Sequence, residues 1–220
     1  MGAILCLETA TTNCSVALSI DGEVVALREE NNQKYSHSEN LHVFIEEVLA
    51  EATFEKRKLD AIAVSKGPGS YTGLRIGVSA AKGLCFALDI PLLSTPTLEV
   101  FARQAKGNNA YVIPMLDARR MEVYATVYNS NMEQVRETKA EILNENSFKE
   151  FLSENTKTIF LGDGSGKFKP LCNHVGALFI NDAFPSATEM AFIAEEKLTK
   201  GDVEDIAYFE PYYLKEFIGG

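Results

Sequence analysis

The sequence predicts an α/β fold of two related lobes, and three observations carry that prediction. Short β-prone runs and amphipathic stretches alternate in the order β-β-β-α-β-α-β through the first half. The β-β-β opening returns in weaker form after Gly107-Asn108-Asn109. Between these, Gly67-Pro68-Gly69-Ser70-Tyr71-Thr72-Gly73-Leu74-Arg75-Ile76-Gly77 joins an apolar strand to a long apolar helix. The expected lobes are 1–106 and 107–220, the second reduced because its helices are fewer and shorter, with the last segment packing back on the first.

Ala3 to Thr9, Ser15 to Ile20 and Glu23 to Arg28 read as strands, and Asp21-Gly22 between the last two is a two-residue hairpin signal. The turn Thr9-Ala10-Thr11-Thr12-Asn13 is rich in hydroxyls, which suits either a polar hairpin or a phosphate-holding turn. A helix is expected from Ser38 to about Ala52, because Leu41, Ile45, Val48, Leu49 and Ala52 share one stripe that Phe44 widens. Ala61 to Val64 is the next strand, stopped by Gly-Pro-Gly. Leu92 to Ser94 follows the long helix, and Pro96 opens a helix from Thr97 to about Ala105. The second half begins with a strand from Ala110 to Leu116, a turn around Asp117-Ala118-Arg119-Arg120 and a strand from Glu122 to Tyr128. A third strand is expected near Gln134 to Ala140. Ser147 to Glu154 and Ala187 to Lys200 read as helices, and Thr158 to Leu161 and Ala177 to Ile180 as strands.

In the glycine loop Thr72 is the expected cap of a helix running to about Leu88. The free amides at that helix start suit a tight turn and an anion equally well. The spacing Gly67-x-Gly69-x-x-x-Gly73 is one residue too long for a dinucleotide fingerprint, and no Lys-Ser/Thr follows as in a P-loop. The helix carries a stronger message, since from Ile76 to Leu88 its only charged residue is Lys82. Leu74, Val78, Ala81, Cys85 and Leu88 form one apolar stripe, and Ile76, Ala80, Leu84 and Ala87 a second. A helix apolar on two faces needs two neighbours: its own sheet, and another helix of this chain or of a different one. Small residues at Gly73, Gly77, Ser79, Gly83 and Ala87 permit close approach. Periodicity alone does not assign the stripes.

The glycine loop resembles the signature of the TsaB (YeaZ-like) family, partner subunits of the tRNA threonylcarbamoyladenosine transferase TsaD within a wider glycoprotease-like family. Asp117-Ala118-Arg119-Arg120-Met121-Glu122-Val123-Tyr124, Ile4-Leu5-Cys6-Leu7-Glu8-Thr9-Ala10 and the closing Pro211-Tyr212-Tyr213-Leu214 support the resemblance. It implies an actin-like, Hsp70-like (ribonuclease H-like) fold. It also implies a non-catalytic scaffold, required for forming threonylcarbamoyladenosine beside the anticodon of tRNAs, that acts by binding a TsaD-like transferase. A TsaE-like ATPase is expected to join the complex, and the chain is expected to form a homodimer when alone, its apolar helix face finding a copy. The docking surface would draw on Leu41, Ile45 and Val48 from one helix and Leu74, Val78, Ala81 and Cys85 from the other.

The alternative is an actin-fold nucleotide-binding protein or ATPase. Its phosphate contacts would come from Thr9, Thr11, Gly67, Gly69, Ser70, Gly73, Arg75, Gly162 and Gly164. In the actin-like fold the first phosphate loop usually carries an Asp near the strand end, where this chain has Glu8, and that departure weighs against magnesium-nucleotide binding. No intrinsic cofactor is expected, with ATP or ADP entering only in the complex. Gly162-Asp163-Gly164-Ser165-Gly166-Lys167 is a second glycine-rich loop, read as a flexible surface turn because it lacks the Walker spacing.

Composition bounds the rest. With 220 residues, 46% of them hydrophobic, the chain can bury a sizeable core. Its net charge of −10 opposes a nucleic-acid backbone, so strong direct tRNA binding is not expected, and Lys56-Arg57-Lys58 and Arg119-Arg120 read as solvated clusters. Cys6, Cys14, Cys85 and Cys172 show no Cys-x-x-Cys spacing, and no run reaches membrane-span length; a soluble, disulfide-free cytoplasmic protein is expected. His37 and His42 are five apart, off the i, i+4 spacing of a helical metal pair, and His-Glu-x-x-His is absent. Neither a catalytic residue nor a metal ligand is therefore assigned.

Overall fold

The computed structural model describes residues 2–31, 37–105, 107 and 110–215. Its contacts separate two units: residues up to Val100 with Pro185–Tyr213, and residues between Phe101 and Phe184 with Leu214 and Lys215.

In the first unit β1 (Ala3–Glu8), β2 (Cys14–Ile20), β3 (Glu23–Glu30), β4 (Ala61–Gly67) and β5 (Leu92–Pro96) make one sheet in the order β3-β2-β1-β4-β5. β1, β2 and β3 pair antiparallel, while β4 runs parallel to β1 and to β5. Asp21 and Gly22, with φ of 55° and 83°, turn β2 into β3 in the mirror-image geometry whose twist suits a hairpin. β1 is buried on both faces, so its side chains divide by alternation. Leu5 and Leu7 meet α1 (His37–Glu51) and α2 (Tyr71–Leu88). Ile4 and Cys6 face the other way, into a cluster that includes Val100 of α3 (Thr97–Arg103).

The second unit repeats the plan. β6 (Tyr111–Asp117), β7 (Glu122–Asn129), β8 (Gln134–Ile142), β9 (Thr158–Leu161) and β10 (Ala177–Ile180) lie in the order β10-β9-β6-β7-β8. β8, β7, β6, β9 and β10 thus take the places of β3, β2, β1, β4 and β5, with the same parallel and antiparallel pairings. Two such sheets define the actin-like, ribonuclease H-like fold. The helices are cut down: where α1 stands in the first unit the second has only a 3-10 turn, Lys149–Phe151, and where α2 stands it has α4 (Ser165–Phe168) and a further 3-10 turn, Lys169–Leu171.

The expected helix from Ser147 to Glu154 therefore does not form. Phe148 sits in the left-handed region at φ 60°, which an α-helix cannot contain, and its buried ring meets Phe160 and Phe168 edge-on. Phe179 stacks on Phe160 at 5.0 Å between centroids, so aromatic rings fill the layer that helices fill in the first unit.

α5 (Ala187–Lys200) belongs to the first unit, not to the second lobe where the chain order had placed it. The sheet face bearing Cys6, Ala17, Ala61 and Ala63 is lined with small side chains, and Met190, Ala191, Ile193 and Ala194 of α5 cover it. The division of the chain falls at Val100 and Phe101, within α3; of the expected boundary Gly107-Asn108-Asn109, the two asparagines lie outside the described residues. Beyond Gly201 the chain follows β5, where Glu204 bridges to Leu92, and Ile206 and Phe209 pack on the first core. Among the described residues no helix is long and apolar enough to cross a membrane.

Candidate functional site

The glycine loop and the turn after β1 are packed together. Ser70, not Thr72, caps α2: its Oγ accepts from Gly73 N at 3.3 Å, and Thr72 stands exposed within the first turn. A cap must lie outside the helix with its hydroxyl turned back to the third amide, and Ser70-x-x-Gly73 has that spacing. Ser70 N donates to Ala10 O at 2.7 Å, and Thr9 Oγ1 donates to Gly73 O at 2.8 Å. A Cβ on Gly69 would stand 2.5 Å from Ala10 O, while one on Gly73 or Gly77 would strike Thr9. Gly69 and Gly73 admit the Thr9-Ala10 backbone at the helix start, and Gly77 admits the Thr9 side chain. Gly67, at φ 112°, does the same for the closing segment, since a Cβ there would be 2.6 Å from Tyr212 O.

Beneath this contact lies a buried polar group. The Glu8 carboxylate accepts from Ala10 N at 2.7 Å and from Ser65 Oγ, and burial pushes it up to about 7. His37, buried at the start of α1, sets Nε2 2.7 Å from Thr11 O, and burial holds it below the usual imidazole range. Thr9, Gly69, Ser70 and Gly73 thus meet in one place, Thr11 is joined to it through His37, and Gly67 faces Tyr212 instead. Arg75 stands at the rim, its guanidinium 4.2 Å over the Tyr71 ring and its Nε donating to Tyr213 Oη at 3.1 Å.

Gly162 and Gly164 belong to the second unit, in a loop that is not the expected surface turn. Gly162, at φ 106°, is pressed by the Phe101 ring and Met115 O; a Cβ on Gly164 would stand 2.9 Å from Val123. Both glycines and Ser165 are buried, and Lys167 Nζ pairs with Asp117 at 2.6 Å. Among the described residues no three of His, Cys, Asp and Glu come together as a metal site.

The two stripes of α2 are now assigned. Leu74, Val78, Ala81 and Cys85 are buried, and the last three pack with Leu41, Ile45 and Val48 of α1 on the sheet. All seven residues expected to form the docking surface are therefore core, because α1 and α2 each turn their most continuous apolar stripe to their own sheet. The second stripe lies at the margin of this core: Ile76, Ala80 and Leu84 are half-buried and pack against its edge, and Ala87 is exposed. Beside it on the same helix lie exposed Ser79 and Gly83, with Phe86 83% exposed. Gly83 is set apart from the other α2 glycines because a Cβ there would meet nothing within 4 Å.

Sequence reasoning missed three features. The Ser70 cap was signalled by its spacing. Neither the Glu8–Ser65 pair nor the seat of Tyr213 on Tyr71 and Arg75 had a local signal, since each joins distant parts of the chain.

A family model described as TsaD, tRNA N6-adenosine threonylcarbamoyltransferase, matches residues 27–209. The tRNA threonylcarbamoyladenosine biosynthesis protein TsaB of Bacillus subtilis (strain 168) is 32% identical to this chain, over 96% of the chain and 93% of its own length. The chain belongs to the TsaB family. TsaB of Escherichia coli (strain K12) is 30% identical over 96% of this chain and 94% of its own length. Among solved structures, YeaZ from Pseudomonas aeruginosa is similar with a TM-score of 0.85 at 27% identity, covering 97% of this chain and 100% of that one. Component A of (R)-2-hydroxyglutaryl-CoA dehydratase from Acidaminococcus fermentans, at 11% identity and a TM-score of 0.50, shares the fold alone. In this TsaB-family chain, the glycine loop packs the turn after β1 against the start of α2.

Proposed function

We propose that this chain is a non-catalytic docking subunit for the formation of threonylcarbamoyladenosine in tRNA, and that it binds a TsaD-like transferase through the outward stripe of α2. The observation that carries the reading is Gly83. A glycine inside a helix costs about 1 kcal/mol against alanine, and nothing among the described residues approaches it closely enough to require one. Another backbone pressing on α2 from outside supplies a reason, as does the apolar surface of Ile76, Ala80, Leu84 and Ala87 around it. The same surface would pair with a second copy when the transferase is absent, giving a homodimer.

The glycines of the first loop are occupied by Thr9, Ala10 and Tyr212, which favours a scaffold over an actin-fold ATPase. ATP or ADP, and a TsaE-like ATPase, then join only at the level of the complex, in the cytoplasm. Reconstitution tests the reading: purified transferase with its substrates should form threonylcarbamoyladenosine on a tRNA transcript only when this chain is added. Equal product without the chain would overturn it.

A further inference from the structure

The closing segment from Glu204 to Tyr213 is more than a tail. Glu204 N donates to Leu92 O at 2.8 Å and the Glu204 carboxylate accepts from Ser94 Oγ, fixing the segment to the edge of β5. Half-buried Ile206 and Phe209 then pack against the core, and Lys82 of α2 donates to Ala207 O and Phe209 O at 3.4 and 3.1 Å. The segment ends on the glycine loop. Tyr212 N donates to Lys66 O at 2.7 Å, Tyr212 O lies over Gly67, and the Tyr213 ring sits 5.0 Å from Tyr71 with its hydroxyl on Arg75.

The junction between β4 and α2 is therefore held from two sides by backbone. The Thr9-Ala10 turn closes the inner side through Gly69 and Gly73, and the Tyr212 carbonyl closes the other through Gly67. On one flank of α2 the side chains of Tyr71, Arg75 and Lys82 each contact this segment. The first turns of α2 are thus held on one side by the Thr9-Ala10 turn and the core and on the other by this short segment, and loss of one support lowers the free energy of local opening. We propose that Glu204–Tyr213 is a strap that sets the position of the first turns of α2, so that its release loosens those turns and weakens docking of the partner. The docking half of this statement rests on the reading given under the proposed function.

Two substitutions free the strap without touching the outward stripe. Tyr213→Ala removes the ring from Tyr71 and the hydroxyl from Arg75, and Tyr212→Pro removes the amide that Lys66 O accepts. Hydrogen exchange of the full chain, alone and with transferase, reads the result. In both variants residues 204–213 and 71–78 should exchange faster together, by about tenfold or more, while β1 and β4 keep their protection. Transferase affinity should fall several-fold. Faster exchange in 204–213 with 71–78 and affinity unchanged would overturn the proposal, as would full protection of 204–213 in both variants. If the wild-type chain did not bind transferase, the docking reading would fall, and the exchange of 71–78 would still decide whether the strap governs α2.

Discussion

Replacing Glu8 with Gln keeps the shape of the side chain and removes its charge, at a position where the structure gives that charge a large cost. Glu8 is fully buried, and burial, the largest cause, raises it from 4.5 to about 7 despite the donors Ser65 Oγ and Ala10 N. In the unfolded chain the carboxyl releases its proton near its ordinary value, while the folded chain keeps it until about 7. For an acid raised in this way, the stability is whole below the unfolded value and falls as pH rises through the window up to the folded value. A shift of that size is worth on the order of 3 kcal/mol above neutral pH. An amide cannot ionise, so the Glu8→Gln chain should escape the fall. Urea unfolding of both proteins at several pH values between 4 and 8, at fixed ionic strength, measures the difference. Glu8→Gln should gain up to about 3 kcal/mol relative to wild type between the acid and alkaline ends. Parallel stability curves would refute the reasoning, because they would mean that the buried carboxyl titrates like an exposed one.

Other expectations follow from the same geometry. Gly83→Ala should stabilise the chain by about 0.5–1 kcal/mol, since the new methyl meets nothing, whereas Gly77→Ala should destabilise it because the methyl strikes Thr9; thermal melts of the two, moving in opposite directions, check this. Ser70→Ala should cost about 1 kcal/mol through loss of the cap and Thr72→Ala less than about 0.5, as equilibrium unfolding would show. Burial pushes the Cys6, Cys14 and Cys85 thiols up to about 12, so alkylation of the native protein at pH 8 should label Cys172 first and the other three only on unfolding, by mass spectrometry.

Much of the fold was legible because the strands are short, β-prone and bounded by turn residues. Asp21-Gly22 marked its hairpin, and the limits of β9 and β10 follow from Thr158 to Leu161 and Ala177 to Ile180 alone. The second lobe misled where apolar residues had two uses. Phe148, Phe151 and Leu152 have spacing compatible with a helix, yet Phe148 takes a left-handed backbone and sends its ring inward. α5 was legible as a helix but not as part of the first unit, since Met190 and Ala194 carry no mark of which sheet they will cover. The site shows the same limit. Both stripes of α2 are apolar, and only the position of the sheet tells Val78 from Ala80. The glycines announced a close approach without naming what approaches: Thr9 for Gly73 and Gly77, Tyr212 for Gly67, and nothing among the described residues for Gly83.

The most direct test of docking through the outward face of α2 is co-purification of a TsaD-like transferase with a Gly83→Glu chain, beside a Val78→Glu control. Gly83 is exposed with open space around it, so its variant should fold, with circular dichroism and melting like wild type. Val78 is 4% exposed in the sheet-facing core, and a carboxylate forced there without a counter-ion costs several kcal/mol, so that variant should fail to fold. The account predicts that folded Gly83→Glu protein no longer retains transferase and remains monomeric when alone. A folded Gly83→Glu chain that still holds transferase as wild type does would contradict it.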